Sequence, residues 1–268
     1  MVRLAIAAVV LCSAAFGQAP SPEEQRQFLE RTRQIALDYS NLLPDFVCTE
    51  VITRSSDESG TMRFLDTLMV QLTYAGKREE YKLMLDGKPS DQPLESYWGA
   101  LSFGEFGSTL RLIFEPRSRT EFQWEKATTV DKRPVAVYSF RVPLAYSPYS
   151  LGFGVMGKSQ SALVGLRGRL IVENGTGLVR RLTSEAEEIP NDFPIRESST
   201  TIEYAFAEVG GRRYLLPARA ETWMMYLRAL QPSRRSKGGM ARYRNVVDFR
   251  DYRKFAVDSK MTFGEDGK

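Results

Sequence analysis

The chain contains no histidine, although it is 268 residues long. This absence excludes Ser-His-Asp and Cys-His catalysis, metal sites built on imidazole ligands and histidine pH switches. Apolar runs of 18 residues or more, which a membrane-spanning helix requires, are also missing. These absences favour a soluble protein that has no catalytic residues, no metal site and no cofactor.

The N-terminus has the three parts of a secretory signal peptide. Residues 1–3 form a short positive start, residues 4–16 form an apolar run, and residues 17–19 supply the small side chains that a signal peptidase recognises. We therefore expect cleavage near Ala19 and a single mature domain over 20–268, located in the periplasm or secreted. An uncut N-terminal anchor is the alternative.

A helix is expected directly after the cleavage site. Ser21 is a suitable N-cap, Pro22 suits the first helical position, and Glu24 completes a capping box. Apolar residues then recur at helical spacing as far as Leu43, and Pro44 ends the pattern.

The rest of the chain has mainly a period of two, which is typical of strands with one apolar and one wet face. We count nine to eleven strands, many joined by tight turns. The segment Trp98–Phe114 departs from this pattern because its apolar residues have roughly helical spacing and are separated by glycines. The predicted fold is α+β: a long antiparallel sheet curved into an incomplete, half-open barrel, packed against the Ser21–Leu43 helix and a short helical cover in Trp98–Phe114.

One stretch matches a nucleotide-binding motif letter for letter. Gly152–Ser159 fits G-x-x-x-x-G-K-S, in which the loop amides and Lys158 would hold phosphates. The motif needs a buried strand before it and a helix after it, but residues 145–150 are turn-like and residues 163–173 have a strand pattern. We predict a glycine loop between strands, and no nucleotide.

The charge pattern gives little support to other ligands. A net charge of +4 from 37 basic and 33 acidic residues is too balanced to indicate nucleic-acid binding. The basic segment 234–244 is compatible with an anionic surface or with a solvated loop. A hydrolase that uses paired carboxylates is a further alternative, provided that two of them converge in one cleft.

Several stretches resemble known families. The sequences of residues 43–48, 104–108, 122–124 and 251–255 resemble a family of uncharacterised exported proteins from acidobacteria. More remotely, residues 168–181 and 214–217, together with 251–255, are similar to periplasmic lipoprotein carriers of the LolA/LolB type. That resemblance implies a LolA-like domain, in which helices plug an apolar cavity of a half-open barrel that accepts acyl chains.

The functional prediction is lipid binding: non-catalytic binding or carriage of an apolar envelope molecule such as an acyl chain, a lipid or a lipoprotein. The alternative is an extracytoplasmic interaction or scaffolding module that has no small-molecule ligand. A cavity of about 300 Å³ or more would favour the first. Chosen by strand face and bulk, the candidate lining residues are Trp98, Phe106, Leu110, Phe114, Trp124, Tyr204 and Phe206.

Overall fold

The computed structural model describes residues 20–57, 60–90, 105–155, 158–227 and 239–255. The expected signal peptide at 1–19, Trp98 and residues 234–238 of the basic segment lie outside the described residues.

Two α-helices lie in the described residues, and the first confirms the predicted helix start. Helix α1 spans Pro22–Leu42. The Ser21 hydroxyl accepts a hydrogen bond from the backbone N–H of Glu24, whose carboxylate accepts one from the backbone N–H of Ser21. Helix α2, at Ser108–Phe114, lies within the segment expected to form a short helical cover. No helix in the described part of the chain is both long and apolar enough to cross a membrane.

Thirteen strands are described, and eleven of them form one antiparallel sheet. They are β1 (Phe46–Asp57), β2 (Met62–Ala75), β3 (Arg78–Leu85), β4 (Lys88–Pro89), β5 (Glu121–Val130), β6 (Arg133–Val142), β7 (Ser150–Val155), β8 (Lys158–Leu163), β9 (Gly165–Glu173), β10 (Val179–Glu187), β11 (Ile195–Val209), β12 (Arg212–Leu227) and β13 (Met240–Lys254). The order in the large sheet is β4-β3-β2-β1-β13-β12-β11-β10-β9-β6-β5. Because β4 and β5 do not pair within the described residues, the sheet remains open, which confirms the predicted α+β fold with an incomplete barrel.

The remaining two strands contain the sequence that matches the phosphate-loop motif. Strands β7 and β8 pair only with each other, antiparallel, with Gly152 opposite Ser161 and Gly154 opposite Ser159. Gly152 and Gly154 therefore lie in the strand of a two-stranded hairpin rather than in the loop that we expected. A strand–loop–helix frame is not formed here, because β8 follows β7 directly.

The core lies on one face of the large sheet, in two clusters. The larger cluster joins α1 and α2 to the inner face of the sheet and includes Phe46, Tyr138 and Leu216. The smaller cluster, around Tyr226 and Tyr243, lies under the β7–β8 hairpin. The two helices therefore cover the apolar inner face of the sheet.

Candidate functional site

Helix α1 covers the inner face of the sheet with few buried side chains. Of its 21 residues, Thr32, Ala36 and Tyr39 are the ones that become fully buried. The Tyr39 hydroxyl donates to the backbone carbonyl of Leu215 at 2.8 Å. Burial, followed by the neighbouring Tyr204 phenol, raises the pKa of Tyr39 well above its ordinary value. The hydrogen bond between Tyr39 and Leu215 therefore joins two uncharged groups at the apolar contact between α1 and the sheet.

Three tyrosines of the sheet donate hydrogen bonds to backbone carbonyls of α1 and of the turn before α2. Tyr74 donates to Ser40 of α1 at 3.1 Å, and Tyr138 donates to Gln25 of α1 at 3.0 Å. Tyr204 donates to the carbonyl of Glu105 at 3.2 Å, in the turn that precedes α2. Burial raises the pKa of Tyr138 to about 12, so this phenol also stays protonated. These tyrosines fix the position of the cover, which we define as α1, α2 and the turn Glu105–Gly107.

A small void remains between the cover and the sheet. Its volume is about 10 Å³, and its lining includes Ile35, Ala36 and Tyr39 of α1, Leu110 of α2 and Tyr204 of β11. A space of this size holds about one water-sized sphere. It is far below the 300 Å³ that would favour a preformed ligand site, because the side chains of the protein fill the rest of the interior.

The structure brings five of the seven predicted lining residues into one cluster. Phe106, Leu110, Phe114 and Tyr204 are buried in it, and Trp124 packs half-buried against its margin. Leu110 and Tyr204 also line the void. Their assignment as ligand contacts remains a prediction.

Phe206 does not join the others. It is 38% exposed, and its ring lies between the guanidinium groups of Arg180 and Arg213, at 5.4 Å and 5.1 Å. The alternation that we extended from Tyr204 does not carry Phe206 into the core, because Ala207 and Val209, rather than Phe206, contact the larger cluster.

Two buried carboxyls, one on the sheet and one in the cover, were not predicted. Glu50 of β1 is 4% exposed, and Glu105 of the turn is 2% exposed. Glu50 lies on the inner face between Val70 of β2 and Phe249 of β13. Burial, followed by the negative charges of Glu105 and Glu79, raises the pKa of Glu50 well above its usual value. The sequence held one signal of this site, because Glu50 has the inward parity of Cys48 and Ile52.

A row of polar residues divides the inner face. Cross-strand pairing places Asp66, Arg54, Asn245, Thr222, Thr200 and Ser184 side by side across six strands. Arg54 donates to both carboxylate oxygens of Asp66, at 2.6 Å and 2.5 Å, and the Thr200 and Thr222 hydroxyls are 3.1 Å apart. On β12 and β13 this polar row separates the larger apolar cluster from the smaller one.

A larger groove lies where β10 and β11 separate beyond the pairing of Glu185 with Ser199. Its volume is about 540 Å³, and its lining includes Arg167, Arg196 and Trp223. Arg167 forms ion pairs with Glu185 and Glu187. This charged, solvated groove does not suit an apolar chain. Among the residues that the structure describes, no group of three Asp, Glu or Cys side chains is arranged to hold a metal ion.

Comparison with known proteins gives likenesses to solved structures only. No family model matches the chain, and no curated protein matches it. A LolA superfamily protein from Nitrosomonas europaea is 12% identical and has a TM-score of 0.36, over 87% of this chain and 94% of that one. A DUF1329 family protein from Desulfovibrio piger is 10% identical with a TM-score of 0.41, over 85% and 93%. A putative outer membrane lipoprotein-sorting protein domain from Vibrio parahaemolyticus is 8% identical with a TM-score of 0.37, over 85% and 90%. These values carry no function to this chain.

Proposed function

We propose that this chain is an exported, non-catalytic protein that takes up an apolar envelope molecule, such as an acyl chain, between the cover and the inner face of the sheet. In the closed form the void of about 10 Å³ is too small for a chain, so uptake requires α1 or α2 to move away from the sheet. The proposal places the protein outside the cytoplasm, where such molecules are found.

The observation that carries the proposal is that α1 covers a strongly apolar surface with only a few fully buried side chains. The sheet contributes most of the buried residues of the larger cluster, whereas α1 contributes Ala36 and Tyr39 to it. Thr32, the third buried residue of α1, bonds through its hydroxyl to the Phe28 carbonyl of the same helix. Removal of such a helix exposes an apolar surface that another apolar molecule can cover.

Titration with straight-chain alcohols of increasing length tests the proposal, because their head group carries no charge. Each added methylene is worth about 0.8 kcal/mol of burial, so affinity should rise about fourfold per carbon until the space is filled. Trp124 reports from the margin of the cluster, and a Trp223→Phe background removes a reporter on the outer face. No saturable response at any length would contradict the proposal.

A matched pair of cavity variants locates the site. Leu110 lines the void, whereas Leu151 lies in the smaller cluster, and both are buried. We expect Leu110→Ala to strengthen alcohol binding, because the enlarged void accepts part of the chain. Leu151→Ala should leave binding unchanged, although both variants lose about 2–5 kcal/mol of stability. Equal binding by the two variants would place the ligand elsewhere.

The near-complete packing under the cover favours a second candidate function. A protein whose inner face is filled by its own side chains serves as a rigid interaction or scaffolding module without a small-molecule ligand. The same titration separates the two functions, because a scaffold gives no length-dependent response.

A further inference from the structure

Glu50 is a buried acid without a described partner. Its carboxyl forms no hydrogen bond and no ion pair with the residues that the structure describes, although the residue is only 4% exposed. Burial of a carboxyl is unfavourable unless a proton, a hydrogen bond or a counter-charge compensates it. Such a group on the surface where a ligand would lie is a candidate for ligand contact.

Among the described residues, the groups that interact with Glu50 supply no positive charge. The described ionisable groups that interact with it are two carboxyls, two phenols and a thiol. They are Glu105, Glu79, Tyr81, Tyr252 and Cys48. A ligand with a negatively charged head would add to this negative charge, whereas a cationic head would neutralise it.

Aromatic rings line the same region. Phe106 of the cover lies 5.3 Å from Phe46, 5.5 Å from Phe249 and 6.4 Å from Tyr252, measured between ring centroids. Phe249 is the cross-strand neighbour of Glu50. When the cover moves, Phe106 leaves with it, and Glu50 stays on the sheet beside aromatic faces. A carboxylate next to aromatic faces is suited to an ammonium group.

We infer that the site prefers amphiphiles whose polar end is an ammonium group, with Glu50 as the contact for the head and the apolar inner face as the contact for the chain. This inference rests on the proposed function, since the chain must enter under the cover. In the closed protein burial favours the protonated form of Glu50, and the ammonium group takes the place of that proton in the complex. Binding of the amine therefore releases a proton, and its affinity increases with pH.

The test compares dodecylamine with dodecanol and dodecanoate on the full mature chain at pH 6 and pH 8, with each compound below the concentration at which it aggregates or separates from solution. We expect the amine to bind about tenfold or more tightly than the alcohol at pH 8, since a hydrogen bond to a charged group is worth that factor. The preference should be smaller at pH 6. Glu50→Gln should bring the amine to within about twofold of the alcohol without weakening the alcohol. Glu221→Gln, on the outer face of β12, is the matched control and should keep the preference, which excludes adsorption to exposed acids.

The possible results separate the two proposals. If alcohols bind with the expected length dependence but the amine has no advantage, or keeps it in Glu50→Gln, the inference is wrong and the proposed function stands. If none of the three compounds binds, both are wrong. Unfolding measurements on both glutamine variants verify that they remain folded.

Discussion

Replacement of Phe106 by alanine tests whether one side chain holds the turn before α2 against the sheet. The ring is buried and stands within 6.4 Å of Phe46, Tyr74, Phe249 and Tyr252, measured between centroids. Truncation of a core phenylalanine costs about 3–5 kcal/mol, which includes the cavity that remains. Four aromatic neighbours on three paired strands leave little freedom to fill the space, so we expect the upper end of that range.

Phe206→Ala is the matched control, because it removes the same atoms from an exposed position. Its two guanidinium contacts are worth about 0.5–1 kcal/mol each at most, and the ring leaves no cavity. Urea unfolding followed by circular dichroism measures both variants against the wild type. We expect Phe106→Ala to lose at least about 2 kcal/mol more than Phe206→Ala. A similar loss in both would refute the assignment of Phe106 as the residue that holds the cover.

Two further predictions concern the pH dependence of stability and backbone packing. The pKa of Glu50 is higher in the folded than in the unfolded state, so the folded protein binds more protons than the unfolded chain. The contribution of Glu50 to the free energy of unfolding therefore falls as pH rises, by up to about 1.4 kcal/mol per pH unit. Glu50→Gln should therefore gain stability over the wild type in urea unfolding at pH 8 and not at pH 4; equal gains would contradict this. Arg244 lowers the pKa of Glu221, so Glu221→Gln should lose about 0.5 kcal/mol at pH 8 and nothing at acid pH. A Cβ on Gly168 would lie 1.9 Å from the Thr183 carbonyl oxygen, whereas a Cβ on Gly175 would have no atom within 4 Å. Gly168→Ala should therefore lower the free energy of unfolding by about 2 kcal/mol or more, and Gly175→Ala should leave it nearly unchanged. Comparable unfolding midpoints for the two variants would refute this packing argument.

The elements that depend on local chemistry were predictable from the sequence. The capping box at Ser21 and Glu24 fixes the start of α1 because both hydrogen bonds form within one turn. The alternation in β2 from Leu68 to Tyr74 fixes its inner face because side chains in a strand have a period of two. The single large antiparallel sheet follows from the repetition of this pattern along the chain.

The positions that depend on register were not predictable in the same way. Phe64 has the parity of Leu68 but is exposed, because the pairing of β1 with β2 shifts after Arg54 and places Phe64 opposite Ser55. A register shift moves side chains from one face to the other without any change in composition. Phe206 also differs from its expected placement, because the next residues of β11 to contact the larger cluster are Ala207 and Val209.

The polar row on the inner face could not be predicted from the sequence, because it is formed by the pairing of strands that are distant in the chain. The row also limits the length of an apolar ligand under the cover. Arg54, Thr222 and Asn245 are far apart in the chain, so their alignment is known only once the strand pairing is known.

Entry of an apolar chain across this polar row would break the Arg54–Asp66 ion pair or remove water from the hydroxyl groups. Contacts with methylene groups compensate neither loss. A chain under the cover is therefore confined to the side of Phe46. That side spans eight residues of β1, or about 26 Å at ~3.3 Å per residue. The increase of affinity with alcohol length should consequently stop within that distance, and an increase that continues beyond it would mean that the chain binds on another surface.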